Sequence, residues 1–278
     1  MKYAFSVVVC LLAASAVRAG SIYDPTVLAQ HPIAFFPLNE TSGTTANNLA
    51  GPPDNVNGTY NNVTLGIAGG PDGSGAGFDG TNSFIGIPFY SALDVTTAFS
   101  IEAWIDVTAA NAMNLGSIFA INRATDGTGL SLSVDDDKLL LELNSSGTNY
   151  TEFSAGDVPF GEWAEVAVTW SNTVDGGAPQ LYIDGVLVAN QDSNTFTNSL
   201  VLSSSLGANI GVEFANGFDG GRYFNGDIED VSFYNTVLSA NQIAADFAAG
   251  APEPSSLLLA GGGLLLLFAA ARLAPRFR

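Results

Sequence analysis

The most regular feature of the chain is alternation. In Phe99-Ser-Ile-Glu-Ala-Trp-Ile-Asp-Val107, the apolar residues Phe99, Ile101, Ala103, Ile105 and Val107 occupy every second position. That spacing puts them on one face of a half-buried strand. Leu130-Ser-Leu-Ser-Val134 repeats the pattern, and Lys138 to Leu143 reads as its hairpin partner across Asp135, Asp136 and Asp137. Trp163 to Trp170 alternates again. Leu181 to Val188 reads as two strands joined by Asp184-Gly185, a pair that accepts the left-handed backbone of a two-residue hairpin turn. Phe224 to Tyr234 predicts a late strand, and Gly73-Ser-Gly-Ala-Gly77 reads as a surface turn. One helix is predicted near the end of the body. Ser239-Ala-Asn-Gln242 forms a capping box, Ile243, Ala244 and Phe247 follow as an apolar stripe, and Gly250 suits the stop. Residues 20–250 contain no Pro-rich linker and no fixed-period repeat. The pattern therefore predicts one all-β domain, a two-sheet antiparallel sandwich of open or jelly-roll topology with one short C-terminal helix.

The two ends break this pattern. Lys2 precedes an apolar run from Ala4 to Ala16, and Val17-Arg18-Ala19 follows it. A basic start, an apolar core and a small-x-small triplet predict a signal peptide over residues 1–19, cleaved after Ala19. At the other end, Pro252-Glu253-Pro254 precedes an apolar stretch from Leu257 to Ala271, then Arg272, Arg276 and Arg278. As a helix that stretch is about 22 Å long, short for a bilayer core of about 30 Å. Basic residues after it place the tail inside and the body outside. This layout over residues 252–278 resembles the PEP-CTERM sorting signal of Gram-negative bacteria. That resemblance implies transient anchoring in the inner membrane, then processing by an exosortase near Pro252, Glu253 and Pro254. The domain reading is thus 1–19 signal peptide, 20–250 sandwich, 251–278 sorting signal.

Charge narrows the partners. The ends hold Lys2, Arg18, Arg272, Arg276 and Arg278, and among the acids only Glu253. Residues 20–251 keep 26 acids against 3 bases, a formal charge of −23. Such a surface excludes nucleic acid, whose phosphates need a basic face. The one cysteine, Cys10, lies in the leader, so neither a disulfide framework nor a cysteine zinc site is available to the mature chain.

The order of segments resembles the laminin-G-like jelly roll of the concanavalin A-like lectin/glucanase superfamily. The carriers are Ala34 to Gly43, Gly77 to Pro88, Phe99 to Ile105, Trp163 to Thr169, Leu181-Tyr-Ile-Asp-Gly185 and Phe224 to Ser239. Asn39 stands where the family usually has Asp, which removes a carboxylate from that segment. The resemblance implies a jelly-roll sandwich spanning roughly residues 22–249. It also implies a structural calcium ion, for which Asp79, Asn82 and Asp230 sit in the matching segments.

Relatives on this fold cleave glycans, so paired carboxyls matter. Retaining glycosidases need two about 5 Å apart. In Asp227-Ile-Glu229-Asp230, the first two share a strand face and the third is out of phase. No Gly-x-Ser-x-Gly elbow occurs, and His31 has no triad partners in the sequence. The expectation is no enzyme. Glycan binding would use exposed aromatics. Trp104, Trp163 and Trp170 lie in predicted strands, whereas Tyr60, Tyr90, Tyr150 and Tyr223 lie in predicted loops. The sequence defines no ligand-binding residues. The reading is a secreted bacterial surface or extracellular-matrix protein, carbohydrate-binding or adhesive and associated with exopolysaccharide. Its alternatives are a structural matrix protein without a specific ligand, and a glycoside hydrolase.

Overall fold

A computed structural model describes residues 22–51, 56–108, 115–121, 129–146, 149–188, 194–200, 202, 206–213 and 222–251. The signal peptide with Ala19, the motif Pro252 to Pro254 and the apolar tail lie outside the described residues. Among the described residues no helix is long and apolar enough to cross a membrane.

In chain order the elements are α1 (Tyr23–Leu28), β1 (Ala34–Phe36), β2 (Thr45–Ala46), β3 (Gly58–Asn61), β4 (Thr64–Gly69), β5 (Gly73–Asp79) and β6 (Phe84–Ile87). Next come β7 (Ala98–Val107), β8 (Leu115–Ile121), β9 (Gly129–Asp135), β10 (Lys138–Ser146), β11 (Asn149–Ala155) and β12 (Trp163–Ser171). The chain closes with β13 (Gln180–Ile183), β14 (Val186–Val188), β15 (Ala208–Ile210), β16 (Asn225–Tyr234) and α2 (Ala240–Gly250). Sheet A runs β14-β13-β12-β7-β16-β5-β4, with β1 also paired to β16; sheet B runs β11-β10-β9-β8-β15-β6-β3-β2. Every strand pairing is antiparallel. The architecture is the all-β, two-sheet sandwich that the alternation predicts.

The inward faces carry the apolar positions read from the sequence. Phe99, Ile101, Ala103, Ile105 and Val107 of β7 meet Leu130, Leu132 and Val134 of β9 and Leu139, Leu141 and Leu143 of β10 in one core. Phe119 of β8 touches Phe233 of β16 across the layers at 5.3 Å between ring centroids. Trp170 lies in this core and donates its Nε1–H to Phe196 O at 3.1 Å. The β9–β10 hairpin turns at Asp136 (φ +55°), and β13–β14 turns at Asp184 (φ +52°) and Gly185 (φ +71°). Both central residues of the second turn are left-handed, as a type I′ turn needs.

The glycine run from Gly73 to Gly77 forms strand β5 and not the expected turn. The physical reason is crowding. A Cβ on Gly75 would lie 3.2 Å from both the Trp163 ring and Ile228 O, and one on Gly77 would meet Ile67 at 3.1 Å. Small residues let these neighbours close over the strand.

The outer face of sheet A is also apolar in part. Phe35, Trp104, Ala167, Tyr182 and Tyr234 are covered there by Tyr23 and Val27 of α1 and Ile243 of α2. The capping box of α2 forms as read: Ser239 accepts from the Gln242 N–H, and Gln242 Oε1 accepts from the Ser239 N–H. Helix α1 carries no such signal. Ile22 occupies its N-cap without a side-chain cap, and packing on the sheet holds it in place.

Candidate functional site

The site begins with a bulge in β16. Its register against β7 shifts between Glu229 and Ser232, and Asp230 takes φ +56°. Strict alternation would put Asp230 on the face opposite Glu229; the extra residue turns it outward beneath α1. Its N–H donates to Pro37 O at 3.1 Å. Its side chain is completely buried, and neither carboxylate oxygen has a hydrogen-bond partner.

Two aspartates converge on it. Asp24 comes from the first turn of α1, and Asp72 from the β4–β5 connection. One oxygen from each of Asp24, Asp72 and Asp230 lies within 4.8 Å of the others. The support is local: the Asp72 N–H donates to Glu229 Oε1 at 3.0 Å, and Asn39 Nδ2 donates to Asp72 Oδ2 at 3.2 Å. Burial pushes the Asp230 carboxyl well above the usual range, and the charges of Glu229, Asp72 and Asp24 push it further. Asp24 is pushed up to about 7 by burial and by Asp72. A buried anion of this kind requires a proton or a cation. Three carboxylates from separate elements, one with both oxygens orphaned, suit a hard divalent cation such as calcium.

Of the residues matched by resemblance, only Asp230 belongs to this group. Asp79 sits at the end of β5 and closes the turn into β6. Its Oδ1 accepts from the N–H groups of Thr81 and Asn82 (2.9 Å each), from the Ser83 N–H (3.1 Å) and from the Ser83 hydroxyl (2.8 Å). Burial raises the Asp79 carboxyl, but the hydrogen bonds from Asn82, Thr81 and Ser83 outweigh it and hold the group well below its ordinary value. Asn82 is exposed, and its carbonyl accepts from Asn62 Nδ2 at 3.4 Å. Asp24 and Asp72 carried no sequence signal, because three elements distant in the chain form the group.

A second polar cluster lies on the outer face of sheet B. The hydroxyls of Ser117, Ser131 and Ser133 are linked at 3.1 and 3.0 Å. On neighbouring strands Glu142, Asn144 and Asn209 are buried beside core-facing leucine and alanine positions. Arg222 joins Glu142 (2.8 Å) and Glu213 (2.5 Å) through a single Nη1. Burial alone would lower the Arg222 guanidinium; the two glutamates more than offset it and hold it above its ordinary value.

Of the tyrosines expected in loops, Tyr60 lies in β3 and Tyr150 in β11, each drawn into a sheet by pairing with a neighbouring strand. Tyr60 is buried and donates to Glu40 Oε2 at 2.6 Å, and Tyr90 is buried and donates to Ile33 O at 3.0 Å. Both belong to the fold and neither offers a stacking face. Tyr223, next to Arg222, is partly exposed. The Tyr150 side chain lies outside the described residues. Trp104 is buried under α2 with its ring stacked on Phe247 at 5.7 Å, and Trp163 lies against Gly69 and Gly75.

Comparison with known proteins sets this geometry in a family. Residues 79–244 match the Laminin_G_3 model, described as the concanavalin A-like lectin/glucanases superfamily. Among solved structures, the botulinum neurotoxin serotype D binding domain is 16% identical with a TM-score of 0.58, over 80% of this chain and 52% of its own. The same serotype's ligand binding domain in complex with N-acetylneuraminic acid is 16% identical with a TM-score of 0.56, over 80% of this chain and 51% of its own. A Trypanosoma rangeli sialidase is 16% identical with a TM-score of 0.57, over 80% of this chain and 33% of its own. The chain thus spans about half the length of the neurotoxin domains, and the likeness is one of fold. No curated protein matches the sequence.

Proposed function

The chain belongs to the concanavalin A-like lectin/glucanases superfamily, and on that premise we propose that it is an exported bacterial surface or extracellular-matrix protein whose sandwich is a non-catalytic carbohydrate-binding module. The observation that carries this reading is the cluster around Arg222. Its buried glutamates hold the partly exposed Arg222, whose guanidinium can donate to sugar hydroxyls, and the partly exposed Tyr223 ring stands next to it. The neurotoxin domain in complex with N-acetylneuraminic acid shares the sandwich, which favours a saccharide as ligand. Binding is favoured over hydrolysis because Glu142 and Glu213 both engage one guanidinium nitrogen, whereas a glycosidase pair keeps one carboxyl as a proton donor.

One observation favours a second reading, a structural matrix domain without a specific ligand. Ser117, Ser131, Ser133, Asn144 and Asn209 are all buried, so a saccharide meets only the Arg222–Tyr223 end of the cluster. A glycan array probed with the exported chain, with calcium and with chelator, separates the two. Specific hits lost on Tyr223→Ala support the carbohydrate-binding module. A blank array with a folded protein supports the matrix domain.

Calcium enters as a structural ion held by Asp24, Asp72 and Asp230. Bound there, it supplies positive charge to three converging carboxylates. Sorting rests on Pro252, Glu253, Pro254 and the tail that follows, with an exosortase as processing partner and the inner membrane as transient anchor. Intact mass of the exported protein tests it: residues 1–19 and the apolar stretch 257–271 are absent from the mature species. A steady-state species that retains the stretch overturns the processing step.

A further inference from the structure

The outer face of sheet A hides a second set of acids, separate from the aspartate trio. Glu102 of β7, Glu165 of β12 and Asp246 of α2 are all completely buried. They meet where α2 lies across the sheet. Glu102 Oε2 accepts from the Ser232 hydroxyl at 3.2 Å, and its Oε1 has no partner. Glu165 Oε2 accepts from the Gly185 N–H at 2.9 Å, and its Oε1 has none either. Both Asp246 oxygens accept from the side-chain amide of Gln30, just past α1, at 2.6 Å. Gln242 of α2 in turn donates to Gln30 Oε1 at 2.9 Å. The other titratable groups that face the cluster are Tyr23 from α1, Tyr234 from β16 and Asp184 from the β13–β14 turn. Among the described residues, none of the groups that bear on the three carboxyls is a cation.

Three carboxylates cannot all stay charged in a dry pocket without compensation. Among the described residues, the acidic oxygens that converge within 4.8 Å are those of Asp24, Asp72 and Asp230. Under α2 a proton can neutralise the cluster. A protonated carboxyl becomes a donor and can bond the carboxylate beside it.

We propose that α2 is a proton-dependent clasp: it stays docked on the outer face of sheet A while the Glu102–Glu165–Asp246 cluster carries protons, and it is released when the cluster ionises. Burial pushes Glu102 well above the ordinary range, and the charges of Glu165 and Asp246 add to it. Burial pushes Glu165 up against the opposing Gly185 N–H, and burial pushes Asp246 up as well. The protons are held more tightly with α2 docked than with it free. Docking is therefore strongest below the ordinary carboxylate range and weakens as pH rises through the raised values. Helix α2 ends at Gly250, two residues before Pro252 in the sequence.

Hydrogen exchange of the full-length chain in detergent, with millimolar calcium, tests this. After correction for intrinsic exchange, protection of residues 240–250 should fall about tenfold or more between about pH 5.5 and about pH 8.5, while β9 and β10 stay unchanged. Glu102→Gln keeps an acceptor for Ser232 and supplies a permanent donor toward Asp246. Its α2 protection should fall less over the same range than that of the wild type, by about threefold or less, because Glu165 and Asp246 still titrate. Asp230→Asn, which alters the trio and reaches the α2 cluster only through Tyr23, should leave the pH dependence of α2 protection as in the wild type even where overall stability shifts. A pH-independent wild-type profile, a Glu102→Gln profile equal to wild type, or a profile flattened by Asp230→Asn each overturns the clasp. If Glu102→Gln does not fold, the wild-type and Asp230→Asn profiles decide.

Discussion

Gly70 presses its backbone against the carboxylate of Glu229. A Cβ at residue 70 would lie 1.3 Å from Glu229 Oε2, and the backbone there is left-handed at φ +65°. Glu229 cannot swing aside freely, because it is completely buried and its Oε1 holds the Asp72 N–H at 3.0 Å. The β4–β5 connection is thereby fixed over the β16 bulge, and Asp72 is held near Asp230.

Gly70→Ala should therefore be costly despite adding one methyl group. Overpacking with a strained φ is expected to destabilise the fold by about 1–3 kcal/mol, read as a lower urea midpoint. It should also weaken calcium binding, because displacing Glu229 releases Asp72. Unchanged stability and unchanged calcium titration would show that the connection is free to shift.

Asp230→Asn should reverse sign with the metal. In chelator it removes a buried charge, so the thermal midpoint should rise. In calcium it removes a ligand, so the midpoint should fall below wild type. For the wild type, free calcium at about a hundred times Kd stabilises by about 2.7 kcal/mol, or roughly 5–10 °C for a domain of this size. Scanning calorimetry of both proteins in both buffers checks the crossover. A midpoint indifferent to calcium would remove the ion from the trio.

Arg222→Ala strands two buried glutamates. The side chains of Glu142 and Glu213 are 4% and 1% exposed. Removing their cation should cost about 3–5 kcal/mol. Adding Glu142→Gln and Glu213→Gln to that variant should recover part of the loss. Urea unfolding of the single and triple variants measures both steps; equal stability of the two would mean that the charge is screened.

Asp227 and Asp106 are directly opposed on β16 and β7. Burial, then the charge of Asp106, pushes Asp227 up to about 6. A raised carboxyl stabilises the fold fully below its unfolded value near 4, and this stability is lost as pH rises through about 6. Asp227→Asn should accordingly raise the thermal midpoint by a few degrees at about pH 8 and leave it unchanged at about pH 4. A gain of equal size at both values would point to a cause other than charge.

The hairpins were legible because their information is local. Asp184-Gly185 and the Asp135 to Asp137 turn specify their own backbone, and the leucines of β9 and β10 specify their own register. The same holds for the capping box of α2. Helix α1 was not legible, since Tyr23 and Val27 have no partners until sheet A exists. The aspartate trio was hidden for a related reason. Alternation assigns Asp230 to the wrong side of β16, and only a bulge fixed by pairings on both flanks corrects it. Asp79 shows the converse: a carboxylate in a family segment whose acceptors are already taken by its own turn.

The position of β16 sets an order of events. It lies in the middle of sheet A between β7 and β5, and it also carries β1, yet it is the last strand among the described residues. Until it is made, the β7–β12 ladder has an open edge, and the Phe99 and Phe119 rings lack the Phe233 ring that touches both. Pairings of such long sequence separation form slowly, and an unpaired edge strand invites other strands. A chain cut short anywhere before Asn225 therefore lacks the middle of a sheet and not merely its end, and should accumulate as aggregate instead of as a smaller sandwich.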